Sequence, residues 1–131
     1  MTLYLKLRGA PRTKKNSSRI VRAGERAMLI PSSQYVIYEK DCMRQIPNCA
    51  RMDIDYPVNV CCTYYMPTRR KVDLSNLEAA THDILVKAGV LADDNRDIIA
   101  GTDGSRVFYD AKDPRVDIEI TEMLDYEQWK K

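Results

Sequence analysis

With 131 residues, 15.1 kDa, 44% hydrophobic and 31% charged positions, the chain is sized for one compact domain and leaves no room for a second core. A chain of this length buries roughly 65 to 70% of its unfolded surface, so it needs no disulfides to fold. Its net charge of +2 excludes a uniformly basic or acidic protein but conceals a division: residues 1 to 40 hold nine Lys/Arg against Glu25 and Glu39, and the other 91 residues hold twelve basic against seventeen acidic groups.

The first residues alternate, Leu3, Leu5 and Leu7 against Tyr4, Lys6 and Arg8, which predicts a half-buried strand ending at Gly9. Residues 10 to 17 form a basic loop, and Ser18 to Arg22 and Arg26 to Ile30 flank Ala23-Gly24-Glu25 as a hairpin. Beyond Pro31 the period changes: Tyr35, Tyr38, Cys42 and Ile46 recur at helical steps, predicting an amphipathic helix from about Ser33 to Ile46, closed by Pro47. Cys42, Cys49, Cys61 and Cys62 contain no C-x-x-C and read as reduced thiols, not as a zinc ribbon. A polar connection leads to a strand over Val58 to Tyr65, whose Tyr64 and Tyr65 are read as core or interface packing before stacking on unpaired bases.

A second helix is expected from about Asn76 to Ala88. Ser75-Asn-Leu-Glu78 has the capping-box pattern, and Gly89 stands where a helix end favours positive φ. Leu77, Ala80, Thr81, Ile84, Leu85 and Ala88 share its inward face, with Asn76, Asp83 and Lys87 along the flank. Short strands over Ile98 to Thr102, Arg106 to Tyr109 and Arg115 to Thr121 complete an α+β domain: a mixed sheet of five or six strands and two main helices, with no linker, repeat or membrane span. The opening residues lack the features of a secretory leader, so a cytoplasmic location is expected.

A basic first third joined to an acid-rich remainder suits a metal-dependent nucleic-acid enzyme, with cations for phosphate and carboxylates for metal; it is also what a plain surface gradient looks like. The acidic candidates are Asp73 before the second helix, Asp83 within it and Asp93-Asp94 beyond it, and Asp73 stands beside the cations Arg69, Arg70 and Lys71. Each carboxylate also has an ordinary reading: a turn, a solvated loop, or for Asp83 an i,i+4 pair with Lys87. A helix of some thirteen residues is about 20 Å long, so Asp73 and Asp94 start at opposite ends. They approach only if the chain after Gly89 folds back along the helix.

Residues 67 to 99, running from Pro-Thr-Arg-Arg-Lys-Val-Asp-Leu-Ser-Asn-Leu-Glu to the Asp93-Asp94 pair and its flank, resemble the central block of the RusA family of Holliday junction resolvases. That block is a basic run, D-x-D-N, a helix carrying D-x-L, a Gly-containing stretch and a D-D pair. Pro11-Arg-Thr-Lys-Lys-Asn16, Pro31-Ser-Ser-Gln-Tyr35 and the final alternating strand are similar to the family as well. The resemblance implies a small dimeric endonuclease of phage and prophage type that binds four-way DNA junctions and nicks two opposing strands. It implies magnesium, with manganese as a substitute, no nucleotide cofactor and no membrane. By the same resemblance Asp73, Asn76 and Asp94 match the metal-site positions; the cations Arg12, Lys14, Lys15, Arg69, Arg70 and Lys71 of the two basic segments are the expected sequence-independent phosphate contacts.

Two positions depart from the pattern. Ser75 stands where the family has its second Asp, and Ala79 where the best-known members carry a catalytic Lys. Serine is neutral and a weak ligand, so the site has lost a negative charge; Asp83 or Asp93 is a candidate for the missing oxygen, and Lys71 or Lys87 for the missing cation. His82, the only histidine, is read first as structural. The departures keep a second reading open, a branched-DNA-binding protein without catalysis. A third reading pairs Asp117 and Glu119 on the last strand, but Thr121 stands where a D…E-x-K nuclease needs Lys.

Overall fold

The computed structural model describes residues 1–14, 18–24 and 26–123. In chain order the elements are β1 (Thr2–Arg8), β2 (Ser18–Ala23), β3 (Arg26–Pro31), α1 (Ser33–Gln45), a 3-10 turn (Asn48–Ala50), β4 (Val58–Met66), α2 (Leu74–Lys87), β5 (Ile99–Gly101), β6 (Arg106–Tyr109) and β7 (Arg115–Glu122). This is the α+β domain expected, and β2 and β3 form the predicted hairpin, a two-stranded sheet apart from the main one.

The main sheet has five strands and runs β1-β7-β4, with β5 and β6 sharing the far side of β4. The β1/β7 and β7/β4 pairings are antiparallel, whereas β5 beside the start of β4 and β6 beside its end are parallel to it. A parallel return needs a crossover, and α2 supplies it between β4 and β5.

Alternation decides which face is covered. Leu5, Leu7, Val58, Val60, Cys62, Tyr64, Val116, Ile118 and Ile120 point to one face and are buried. There they meet Tyr35, Tyr38 and Cys42 of α1 and Leu77, Ala80, Thr81, Ile84 and Leu85 of α2. Burial pushes the Cys42 thiol up to about 11 and the Cys62 thiol up to about 12, so both stay protonated and behave as apolar packing atoms. Tyr64 is fully buried, as the core-packing reading of this strand expects, and its hydroxyl lies 2.7 Å from Thr81 Oγ1 on α2.

Helix ends are closed by named groups. Ser32 caps α1, its Oγ accepting from the Tyr35 amide at 3.2 Å. Gly89 adopts φ +79° after α2 and donates to the Val86 carbonyl, while Val90 donates to Leu85. One guanidinium serves both helix C-termini: Arg51 donates to the carbonyls of Ala88, Met43 and Ile46. Among the described residues no helix is long and apolar enough to cross a membrane.

Candidate active site and nucleic-acid interface

Two basic segments far apart in sequence meet at the end of the sheet. Leaving β1, Gly9 takes φ +119° and donates to the Pro114 carbonyl at 2.9 Å, which sends residues 10 to 14 across the end of β4. The turn that follows β4 faces them. Together Pro11, Arg12 and Thr13 from one side and Pro67, Arg70 and Lys71 from the other line a hollow of about 310 Å³. Arg12 is held there by the Gln34 side chain, 3.2 Å from its Nη1, and Arg69, Arg70 and Lys71 are exposed. Such a rim of cations attracts phosphate without regard to base sequence. Lys15 lies outside the described residues.

Asp73 follows Val72, the last residue of that lining, and is the N-cap of α2, with φ −85° and ψ 122°. The helix therefore starts at Leu74, two residues earlier than the Ser75 capping box predicted. Ser75 lies inside the first turn and is exposed, so capping does not account for it. An N-cap aspartate ordinarily accepts a backbone amide of the first turn. Asp73 does not; its carboxylate instead accepts from the Asn76 side-chain amide at 3.2 Å and stays exposed. Asp73 and Asn76, the positions expected from the family resemblance to serve the metal, are thus in contact.

The chain does turn back after α2. Ala92 donates to the Ile54 carbonyl, and Asp94 then comes within electrostatic reach of His82 in the third turn of the helix. Burial lowers the pKa of His82, and the negative charge of Asp94 partly offsets this. His82 and Asp73 are nine residues apart, roughly 13 Å along the helix axis. Asp93 is spent on the loop itself: one oxygen accepts the Asp94 amide at 2.7 Å and the other the Asn95 side chain at 3.3 Å. The Asp94 carboxylate is exposed.

Asp83 stands among cations. Lys14 Nζ lies 3.5 Å and Lys87 Nζ 3.6 Å from its Oδ2, and Lys87 also reaches Glu39 on α1 at 3.1 Å. Desolvation acts to lower the Lys87 pKa, but Glu39 and Asp83 outweigh it and the value is raised. This cluster ties the two helices together and lies at the opposite end of α2 from Asp73. Lys71, two residues before Asp73, is the nearer cation, and Ala79 is exposed on the helix surface.

Among the described residues no three acidic, histidine or cysteine side chains form a ready metal cage. Magnesium does not need one, because it commonly takes one or two carboxylates together with waters and substrate phosphate. Asp73 and Asp94 fit that chemistry as hard, exposed oxygen donors; Asp83 and Asp93, already engaged, fit it less well. A second hollow, of about 400 Å³, lies on the open sheet face between Tyr4, Lys6, Cys61, Asp117 and Glu119. It lacks the paired basic segments, and Asp117 is bound there by Arg115 at 3.4 Å.

The family model for endodeoxyribonuclease RusA matches residues 9–121, which takes in the basic hollow, α2 and the Asp93-Asp94 loop. The chain belongs to the RusA family. It is similar to the crossover junction endodeoxyribonuclease RusA of Aquifex aeolicus (strain VF5), with 43% identity over 42 residues. That match covers 32% of this chain and spans 33% of the relative's length. Sequence reading identified both basic segments of this RusA-family chain but not their meeting around one hollow. It also missed Tyr109, whose ring carries the Arg69 guanidinium at 4.2 Å; the run Arg106-Val-Phe-Tyr109 was the available signal.

Proposed function

We propose that the protein is a magnesium-dependent endodeoxyribonuclease that resolves four-way DNA junctions by nicking two opposing strands as a homodimer, in recombination and repair within the bacterial cytoplasm. The observation that carries this reading is Asp73: an N-cap carboxylate that does not cap, held by Asn76 at the rim of a hollow lined by Arg12, Arg70 and Lys71.

Arg12, Arg70 and Lys71 bind backbone phosphates and set the strand against the start of α2, supplying position without sequence information. Asn76 orients the Asp73 carboxylate, and Asp73 with Asp94 would hold the metal, whose oxygen preference matches theirs. When bound, magnesium would supply a Lewis acid that neutralises negative charge on the phosphate oxygens and makes water a better nucleophile. In the hydrolysis itself, the attacking water forms the new P–O bond and releases a proton to solvent, while the bond to the 3′ oxygen breaks and that oxygen takes up a proton to leave as a hydroxyl. Lys71 replaces the missing family lysine as the cation beside that leaving oxygen. A four-way junction is two-fold symmetric, so an isologous dimer offers one such site to each opposing strand.

A second reading is favoured by the neutral Ser75 and by the absence of a three-carboxylate cluster among the described residues: a branched-DNA-binding protein without catalysis. Incubation with a synthetic four-way junction and magnesium separates the two. The nuclease gives symmetric paired nicks, and Asp73→Asn lowers their rate more than ~100-fold while junction binding persists, since even outer-shell partners of metals are worth 10 to 100-fold. Binding without nicks under magnesium and manganese alike assigns the protein to the second reading.

A further inference from the structure

The strand β6 is an edge of the sheet whose residues are all exposed, including Val107, Phe108 and Tyr109. Exposed aromatic side chains gathered on one edge are costly to leave in water and mark a binding surface. Register explains how they are arranged. Arg115 on β7, Tyr65 on β4 and Phe108 on β6 are direct neighbours across three strands, on the face away from the helices. The Arg115 guanidinium lies 3.9 Å from the Tyr65 ring centre, and Phe108 stacks on Tyr65 with centroids 5.8 Å apart and planes 27° from parallel.

The row is closed at one end and open at the other. Arg115 is bound by Asp110 at 3.2 Å, Asp113 at 3.6 Å and Asp117 at 3.4 Å, so it holds Tyr65 in place and has little charge left for phosphate. Phe108, at the other end, is 49% exposed. Tyr109, next in the strand, points to the opposite face and carries Arg69, which leads into Arg70 and Lys71 of the basic hollow, whereas the exposed Arg106 shares the face of Phe108. The edge strand β6 therefore has Phe108 and Arg106 on its open face and the Arg69-Tyr109 pair on the other.

We propose that Phe108 is a stacking platform for an unpaired base of the DNA substrate, with the Arg115-Tyr65 pair as its backing and Arg106, on the same face, holding the adjoining phosphate. This rests on the DNA-binding reading above and adds which state of the bases the protein recognises. Charge selects the occupant: two copies joined along this edge would bring Arg69 and Arg106 of each against those of the other, whereas DNA brings phosphates to them. A ring face is accessible only to a base taken out of the duplex stack.

The test uses the full chain without divalent metal, so that no strand is cut. The probes are a single-stranded oligonucleotide, a four-way junction carrying 2-aminopurine at its crossover, and a fully paired duplex of the same sequence. Phe108→Ala should weaken single-strand and junction binding roughly 5- to 100-fold and leave duplex binding unchanged. Phe108→Tyr, which keeps a ring, should retain the affinity, and only ring-bearing forms should change the 2-aminopurine emission. Equal losses on duplex and junction, or no loss on either, overturn the inference while leaving the nuclease reading intact. A change in sedimentation of Phe108→Ala would assign the edge to a second copy of the chain instead. Wild type that binds none of the probes removes both proposals.

Discussion

The attachment of α2 to β4 sets where Asp73 sits, and its one buried polar link makes a quantitative prediction. Thr81 Oγ1 donates its single proton to the Leu77 carbonyl at 3.0 Å, so the 2.7 Å contact with Tyr64 requires the tyrosine hydroxyl to be the donor. Burial raises the Tyr64 pKa and keeps that proton in place. Tyr64→Phe therefore removes a donor and leaves only a spare acceptor lone pair, a loss of about 0.5–1.5 kcal/mol. Thr81→Val instead strands the buried Tyr64 hydroxyl without an acceptor and costs about 1–3 kcal/mol. At roughly 3–5 °C per kcal/mol for a domain of this size, thermal unfolding should separate the two variants by several degrees. The double variant removes both partners, so it should be at least as stable as Thr81→Val alone. Calorimetric unfolding of the three proteins checks the order. Single losses that simply add in the double variant would refute the donor assignment.

Restoring the family carboxylate with Ser75→Asp places a negative charge in the exposed first turn of α2, where the helix dipole favours it by about 0.3–1 kcal/mol. Without metal the variant should melt a few degrees higher than wild type, and manganese should raise its midpoint further than it raises that of wild type; equal manganese shifts in the two proteins would remove position 75 from the metal site. Asp110 is the other charge worth titrating. Desolvation acts to raise its pKa, but the amides of Lys112 and Asp113 and the Arg115 guanidinium outweigh it and hold the value below 3.8. The folded pKa lies below the unfolded one, so the stabilisation is fully present above pH 3.8 and is lost as pH falls through the lowered value. Asp110→Asn should be less stable than wild type at neutral pH, with the gap closing in strong acid; a gap independent of pH, followed by urea unfolding, would assign the effect to shape and not to charge.

Local pattern alone determined the helices, their inward faces and most strands of this protein. The 3.6-residue recurrence of Tyr35, Tyr38 and Cys42 and of Leu77, Ile84 and Leu85 names buried faces wherever the chain is helical, and Gly89 ends α2 because only glycine takes φ +79° without strain. The Pro67 to Asp94 block likewise carried the family resemblance, since its order and spacing lie in contiguous sequence. Tertiary structure decided the rest. Asp73 and Ser75 are both good N-cap residues, and the path of the chain leaving β4 gave the position to Asp73, freeing Ser75 from a structural duty. Tyr64 and Tyr65 are adjacent and chemically identical, yet the pleat sends one into the core against Thr81 and the other to the open face beneath Arg115. Nor could periodicity show that Arg12 would share a hollow with Arg70 and Lys71, or that β6 would add Phe108 to the Tyr65 row. Those juxtapositions depend on which strands pair, and strand pairing is a choice among distant segments that no local run of residues encodes.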